Sequence, residues 1–181
     1  MSKLKEILIN KKNCKSIWFM RQAGRYLPEF RKIRLQNKDF IKLCLNSELS
    51  SEITLQPIKR FDLDAAIIFS DILIVPYALG QKVEFIKDMG PKLKKFNFNF
   101  FKDNNKKSFT QKLQPVYKAI SKTRNKLGKE KSLIAFVGAP WTLLIYMLDL
   151  KLDKKKIDYQ KIKSKRDEII LILNKLNEYL S

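Results

Sequence analysis

Ala65-Ala66-Ile67-Ile68-Phe69-Ser70-Asp71 is an apolar run that ends abruptly on a hydroxyl and a carboxylate. A strand with one wet face alternates apolar and polar residues; a run without polar interruption predicts a strand covered on both faces, as in parallel sheets roofed by helices. Upstream, residues 40–44 and 48–61 read as helices, with Ser47 as N-cap and Pro57 as a bend. Residues 16–20 form a candidate first strand. Downstream, residues 82–86 alternate and suggest a short extended arm, while the Lys- and Asn-rich stretch 92–107 reads as a surface loop. A helix is expected over 116–127, stopped by Gly128, then a third strand over 133–137. Pro140 sits where a first-turn proline opens the next helix. A last helix over 161–180 puts Ile162, Ile169, Leu173, Leu176 and Leu180 on one face. About three core strands, each followed by helix, indicate an α/β fold built from βα units.

The chain has 181 residues, of which 45% are hydrophobic, and a mean hydropathy of −0.30, values that fit a single globular domain spanning 1–181. No run of about 18 apolar residues occurs, so no membrane span is expected. The first residues carry charge and lack an apolar signal core, which makes the cytoplasm the expected compartment. Cys14 and Cys44 stand apart without metal-ligand spacing, and neither a disulfide nor a metal site is expected of them. The absence of histidine excludes Ser-His and Cys-His triads from this chain and leaves Asp, Glu, Arg, Lys or Tyr for any chemistry. A net charge of +20 invites a nucleic-acid reading, but the basicity is mostly dispersed lysine with no recognition motif. Solvated lysine is the expectation, with attraction of a polyanionic substrate as a further use.

Each predicted strand runs into a polar constellation. The first meets Arg21-Gln22-Ala23-Gly24-Arg25, the second Ser70-Asp71, and the third Gly138-Ala139-Pro140-Trp141 with Tyr146 in the following helix. Arg21 and Arg25 flank a small Ala-Gly step, so two guanidinium forks and nearby backbone N–H groups can converge on carboxylates. Asp71 at the end of a buried strand suits a polar N–H or a nearby cation. Plainer readings exist for each: an Arg25–Glu29 ion pair, Asp71 as a helix cap, and Tyr146 as a core aromatic.

Three segments in order, residues 17–31 around Met20-Arg21-Gln22-Ala23-Gly24-Arg25, residues 55–57 with 63–73, and residues 136–147, resemble the uroporphyrinogen decarboxylase family. The likeness runs from about residue 14 to 148. It implies a homodimeric (β/α)8 TIM barrel of tetrapyrrole (haem) biosynthesis that removes carbon dioxide from the four acetates of uroporphyrinogen III, giving coproporphyrinogen III, with no cofactor and no metal. Protonating a pyrrole carbon makes the ring itself the electron sink, a role that other decarboxylases give to a cofactor. The resemblance implies that Asp71 accepts from pyrrole N–H groups and stabilises the ring cation, and that Arg21 and Arg25 bind carboxylates, Arg21 beside Asp71 at the chemistry. It further implies that Gln22, Ala23 and Gly24 line the substrate loop with backbone groups, that Arg34 is another carboxylate binder, and that Tyr146 bonds substrate across the cleft.

Two departures stand out. Where the family carries a Gly/Ser-rich stretch, this chain has Leu148-Asp149-Leu150-Lys151-Leu152 and more lysines, a divergent or shortened loop. Family members are nearly twice as long, and their second half supplies a serine and a histidine that contact substrate. The expectation is therefore an incomplete barrel of the first three to four βα units, inactive by itself. A related corrinoid-linked methyltransferase barrel, which uses zinc ligands, and a basic nucleic-acid module are the alternative readings.

Overall fold

In the computed structural model, which describes residues 1–86, 90–152 and 156–181, the elements run α1 (Lys3–Asn10), α2 (Pro28–Gln36), α3 (Phe40–Cys44), α4 (Ser47–Arg60), β1 (Ala65–Ile67), α5 (Ile74–Ala78) and β2 (Val83–Ile86). They continue with β3 (Gly90–Leu93), α6 (Phe98–Asp103), α7 (Lys106–Lys126), β4 (Ser132–Ile134), α8 (Pro140–Met147), α9 (Tyr159–Ser164) and α10 (Arg166–Leu180). The chain divides into two compact units: Met1–Asp71 with Gln114–Phe136, and Ile72–Leu113 with Val137–Ser181.

In the first unit the apolar run becomes β1, with Ala65 and Ala66 wholly buried as a two-face strand requires. It pairs in parallel with β4, Ala65 opposite Ser132 and Ile67 opposite Ile134. Helices pack around this pair. Leu27, Phe30, Ile33, Leu43 and Ile53 form one core cluster, with Phe69 set edge-on to Phe30 at 5.8 Å. Burying each such side chain is worth ~1.5–3 kcal/mol. Leu55 of α4, Ala66 of β1 and Leu127 just after α7 form a second cluster.

Local chemistry sets the helix ends. The Asp39 carboxylate accepts the Lys42 N–H at 3.0 Å and starts α3. The Asn46 side chain accepts the Glu48 and Leu49 N–H groups at 3.2 and 3.1 Å, so Asn46 rather than Ser47 is the N-cap of α4. Pro57 does not end that helix, which runs on until the Phe61 N–H bonds the Pro57 carbonyl at 2.9 Å.

The expected first strand over 16–20 is not one. Ile17 bonds Asp64 twice, its N–H to the carboxylate at 2.8 Å and its carbonyl to the Asp64 N–H at 2.9 Å, and the segment then leaves β1. The β1 groups it would need next are taken by the Gln22 side chain.

In the second unit β2 and β3 form an antiparallel pair, Val83 opposite Leu93. The surface-loop reading of 92–107 is overturned. Asn97 and Asn105 are caps rather than loop residues, accepting the Phe100 N–H at 3.1 Å and the Ser108 N–H at 2.8 Å. Phe101 is buried against Phe96, and α7 opens at Lys106 with Pro115 inside it, well before the expected start at 116. Pro140 does open α8. The expected last helix breaks at Lys165 into α9, capped by Asp158, and α10, which buries Ile169, Ile172 and Leu176 while Leu173 and Leu180 are half-buried. Of the divergent stretch after Met147, Leu148 and Leu150 are buried, and residues 153–155 lie outside the described ones.

The fold is thus α/β, rich in helix and poor in strand. Among the described residues its strands make two two-stranded sheets and no closed barrel. No helix of the described residues is long and apolar enough to cross a membrane.

Candidate functional site

Residues 21–27 form a turn bonded to itself. The Leu27 N–H reaches the Gly24 carbonyl at 3.0 Å, the Tyr26 hydroxyl donates to the Gln22 carbonyl, and Arg31 donates to the Arg25 carbonyl at 2.8 Å. A Cβ on Gly24 would meet the Tyr26 ring only at ordinary contact distance, 3.5 Å, so room does not explain that glycine. Gln22 is buried, and its side chain donates to the Ala65 carbonyl at 2.8 Å and accepts the Ile67 N–H at 3.2 Å.

Arg21 and Arg25 behave differently. Both are exposed, and among the described residues neither guanidinium holds a hydrogen bond or an ion pair. The Arg25–Glu29 pair suggested by spacing does not form, because Glu29 is taken by Arg60 through two contacts of 2.8 and 3.0 Å. That fork holds the Glu29 carboxyl down at about 2. The turn therefore presents two cations with unspent donors.

Asp71 is half-buried at the end of the segment that β1 begins. The N-cap position of α5 is Leu73, two residues further on, so Asp71 does not occupy the cap. The neighbouring Ser70 hydroxyl is buried and, among the described residues, has no partner. Between β1 and Asp71, Phe69 is anchored on α4: its N–H goes to the Thr54 hydroxyl at 2.8 Å and its carbonyl accepts from Ser50 at 2.6 Å. Asp71 and Arg34 both act on the buried Cys44. Burial pushes that thiol up, the Asp71 carboxylate adds to the rise and the Arg34 guanidinium opposes it.

Arg34 is only partly available. It donates to the Asn37 carbonyl at 2.5 Å and the Lys38 carbonyl at 3.2 Å, closing α2, and lies over the Phe40 ring at 5.4 Å. Tyr146 belongs to the second unit. It lines a cleft of about 470 Å³ with Phe96, Phe98 and Lys161, and Lys151 sits 4.5 Å above its ring. In the third motif, Gly138 is there for space: a Cβ would come within 2.7 Å of the Leu143 side chain.

The first unit thus gathers the 21–25 turn, Arg34 and Asp71 around β1 and the helices packed on it. A groove of about 790 Å³ between α1, α7 and β4 is lined by none of them. The sequence reading missed the Gln22 side chain, Ser50 and Thr54 as the groups that hold this assembly. A signal for the last two existed: hydroxyls four apart on the apolar face of a helix ask for a backbone partner.

The arrangement has relatives. A family model described as uroporphyrinogen decarboxylase (URO-D) matches residues 11–175. A protein of Rickettsia felis named uroporphyrinogen decarboxylase is 47% identical over 159 residues, covering 82% of this chain and 45% of that one. One of Orientia tsutsugamushi with the same name is 46% identical over 166 residues, covering 92% and 48%. The chain spans about half the length of the curated relatives it matches. A solved structure, a methyltransferase from Methanosarcina mazei, shares the fold with a TM-score of 0.63 at 14% identity, over 96% of this chain and 52% of its own. By the match along nearly all its length, and by the motifs that build the turn and the strand end, the chain belongs to the uroporphyrinogen decarboxylase family.

Proposed function

We propose that this chain forms one wall of the substrate site of a uroporphyrinogen decarboxylase, a carbon–carbon lyase that converts the four acetates of uroporphyrinogen III to methyls, giving coproporphyrinogen III in haem biosynthesis. The supporting observation is the pair of exposed, unengaged guanidinium groups, Arg21 and Arg25, on a turn fastened to the strand that leads to Asp71. Eight carboxylates make the substrate a strong polyanion, which such forks bind bidentately.

In this reading Arg21 and Arg25 hold substrate carboxylates, and Arg34 lends its remaining donors to another. Asp71 accepts from pyrrole N–H groups. When a proton joins a pyrrole carbon, the ring becomes cationic; the acetate C–C bond breaks, its electron pair flows into the ring and carbon dioxide leaves. The methylene carbon then takes up a proton and the ring carbon gives its own back, restoring the pyrrole. A carboxylate at the pyrrole nitrogens lowers the energy of that cation. Tyr146 is a further substrate contact, and Gln22 to Gly24 shape the loop. No cofactor is needed. The whole protein is a single-domain (β/α)8 barrel of which residues 1–181 form the first βα units, a homodimer at full length, in the cytoplasm. The methyltransferase alternative has likeness of fold alone, at 14% identity.

The test is a chimera in which residues 1–175 of this chain replace the matching part of the Rickettsia felis relative. It is expected to release carbon dioxide from uroporphyrinogen III, with Asp71→Asn lowering kcat by at least about a hundredfold and Arg25→Ala acting mainly on KM. A folded chimera that is inactive beside an active parent would overturn the proposal.

A further inference from the structure

We infer that Gln22 is a positioning residue: its side-chain amide takes the place of a neighbouring strand on the outer edge of β1, and so fixes where Arg21 and Arg25 stand. The inference rests on the reading of those two arginines proposed above.

Backbone groups of a strand point alternately to its two sides. The Asp64 carbonyl and the Ile68 N–H face β4, bonding Ser132 at 2.9 Å and Ile134 at 3.0 Å. Ala65 and Ile67, of opposite parity, face away, where β1 has no strand partner among the described residues. There the Gln22 amide gives its N–H to the Ala65 carbonyl and takes the Ile67 N–H. A residue of a parallel neighbour opposite Ala66 would make these same two bonds. A primary amide can do so because it carries the donor and acceptor of a peptide group.

Gln22 is 4% exposed, so its side chain is spent on the strand and not on a ligand. Its main chain belongs to the turn, where its carbonyl accepts from Tyr26. Among the described residues, the turn is one bonded piece whose hydrogen bonds to β1 run through this side chain. The chain runs on from that strand through Phe69 to Asp71, so one segment sets both the two cations and the carboxylate.

The test uses the full chain, its Gln22→Leu and Gln22→Glu variants, Arg21→Ala, and the Arg21→Ala/Gln22→Leu double variant. Hydrogen exchange at the Ile67 amide reads the bridge, amides of α4 report whether the fold persists, and quenching of tryptophan fluorescence reads binding of uroporphyrin, an octacarboxylate. Gln22→Leu is expected to speed Ile67 exchange by about tenfold or more with α4 unchanged, and to weaken uroporphyrin binding by about tenfold. Gln22→Glu keeps an acceptor for Ile67 and is expected to fall between, which preserves the test if Gln22→Leu does not fold. The double variant should lose less than the sum of the two single losses, because part of what Gln22 supplies passes through Arg21.

Unchanged Ile67 exchange would overturn the inference. So would lost protection with full affinity, which marks a purely structural bond, or additive losses, which mark direct contact with the porphyrin. Failure of the unsubstituted chain to bind uroporphyrin would instead sink the functional reading, and the Ile67 exchange would still decide the bridge.

Discussion

The two edges of β1 are satisfied by different means. Towards β4 the bonds are main chain to main chain, in register from Ala65 to Ile67 and continued by Ile68 to Ile134. On the other edge the Ile17 main chain reaches only Asp64, and from Ala65 on the bonds come from side chains: Gln22 serves Ala65 and Ile67, and Thr54 and Ser50 serve Phe69. A ladder tolerates changes of side chain because any residue supplies the same groups. An edge held by side chains depends on the identity of each one. The motif residues lie on that second edge, which ties their chemistry to three residues that touch no ligand in the proposed reaction.

The difference can be attacked from the ladder side first, where the largest effect is expected. Ile68→Pro deletes the N–H that bonds Ile134 and removes a buried side chain. Losing that bond and that buried side chain costs roughly 1–3 kcal/mol each. Urea unfolding followed by circular dichroism should show the folded baseline shortened or lost. A variant as stable as the parent would mean that pairing with β4 contributes little.

On the outer edge the expected loss is smaller and more local. Thr54 is buried, donating to the Ser50 carbonyl at 2.7 Å while accepting the Phe69 N–H. Thr54→Val keeps the shape and strands that N–H, a cost of about 1–3 kcal/mol. The urea midpoint should drop in proportion to that loss, with Phe69 amide exchange rising more than exchange at Ile68. Equal rises at both amides would dissolve the distinction between the edges.

This contrast also explains what could be read from the sequence. The ladder edge was legible: an uninterrupted apolar run announced a strand covered on both faces, and Pro140 announced the start of α8. Arg21, Arg25 and Asp71 were marked out by their place in a family pattern, and their roles are those proposed above. The outer edge was hidden. Ile17-Trp18-Phe19 has the composition of a strand and sits beside β1, but whether it pairs depends on what else can reach Ala65 and Ile67, and a glutamine several residues away wins. The asparagine-rich stretch misled for a related reason. Asn97 and Asn105 look like loop residues by composition, yet each spends its side chain starting a helix.

The smallest expected effect concerns the base of the turn. Glu29 on α2 and Arg60 at the end of α4 join the helix that follows the arginine turn to the helix that anchors Phe69. The Arg60 fork is the main cause of the depressed carboxyl, held at about 2 against 4.5 for the free group. A carboxyl depressed on folding stabilises the native state above its unfolded value and loses that contribution as pH falls through the folded one. The stability difference between the parent and Glu29→Gln should therefore be flat from pH 7 to about 5, shrink between about 4.5 and 2, and vanish below that. Because the pair is exposed, the difference should be small and should diminish in high salt. Urea midpoints measured across that pH range at two salt concentrations check both statements. A difference that persisted below pH 2 would show that Glu29 supports the turn by packing, and the outer edge would then owe less to charge than the Arg60 fork suggests.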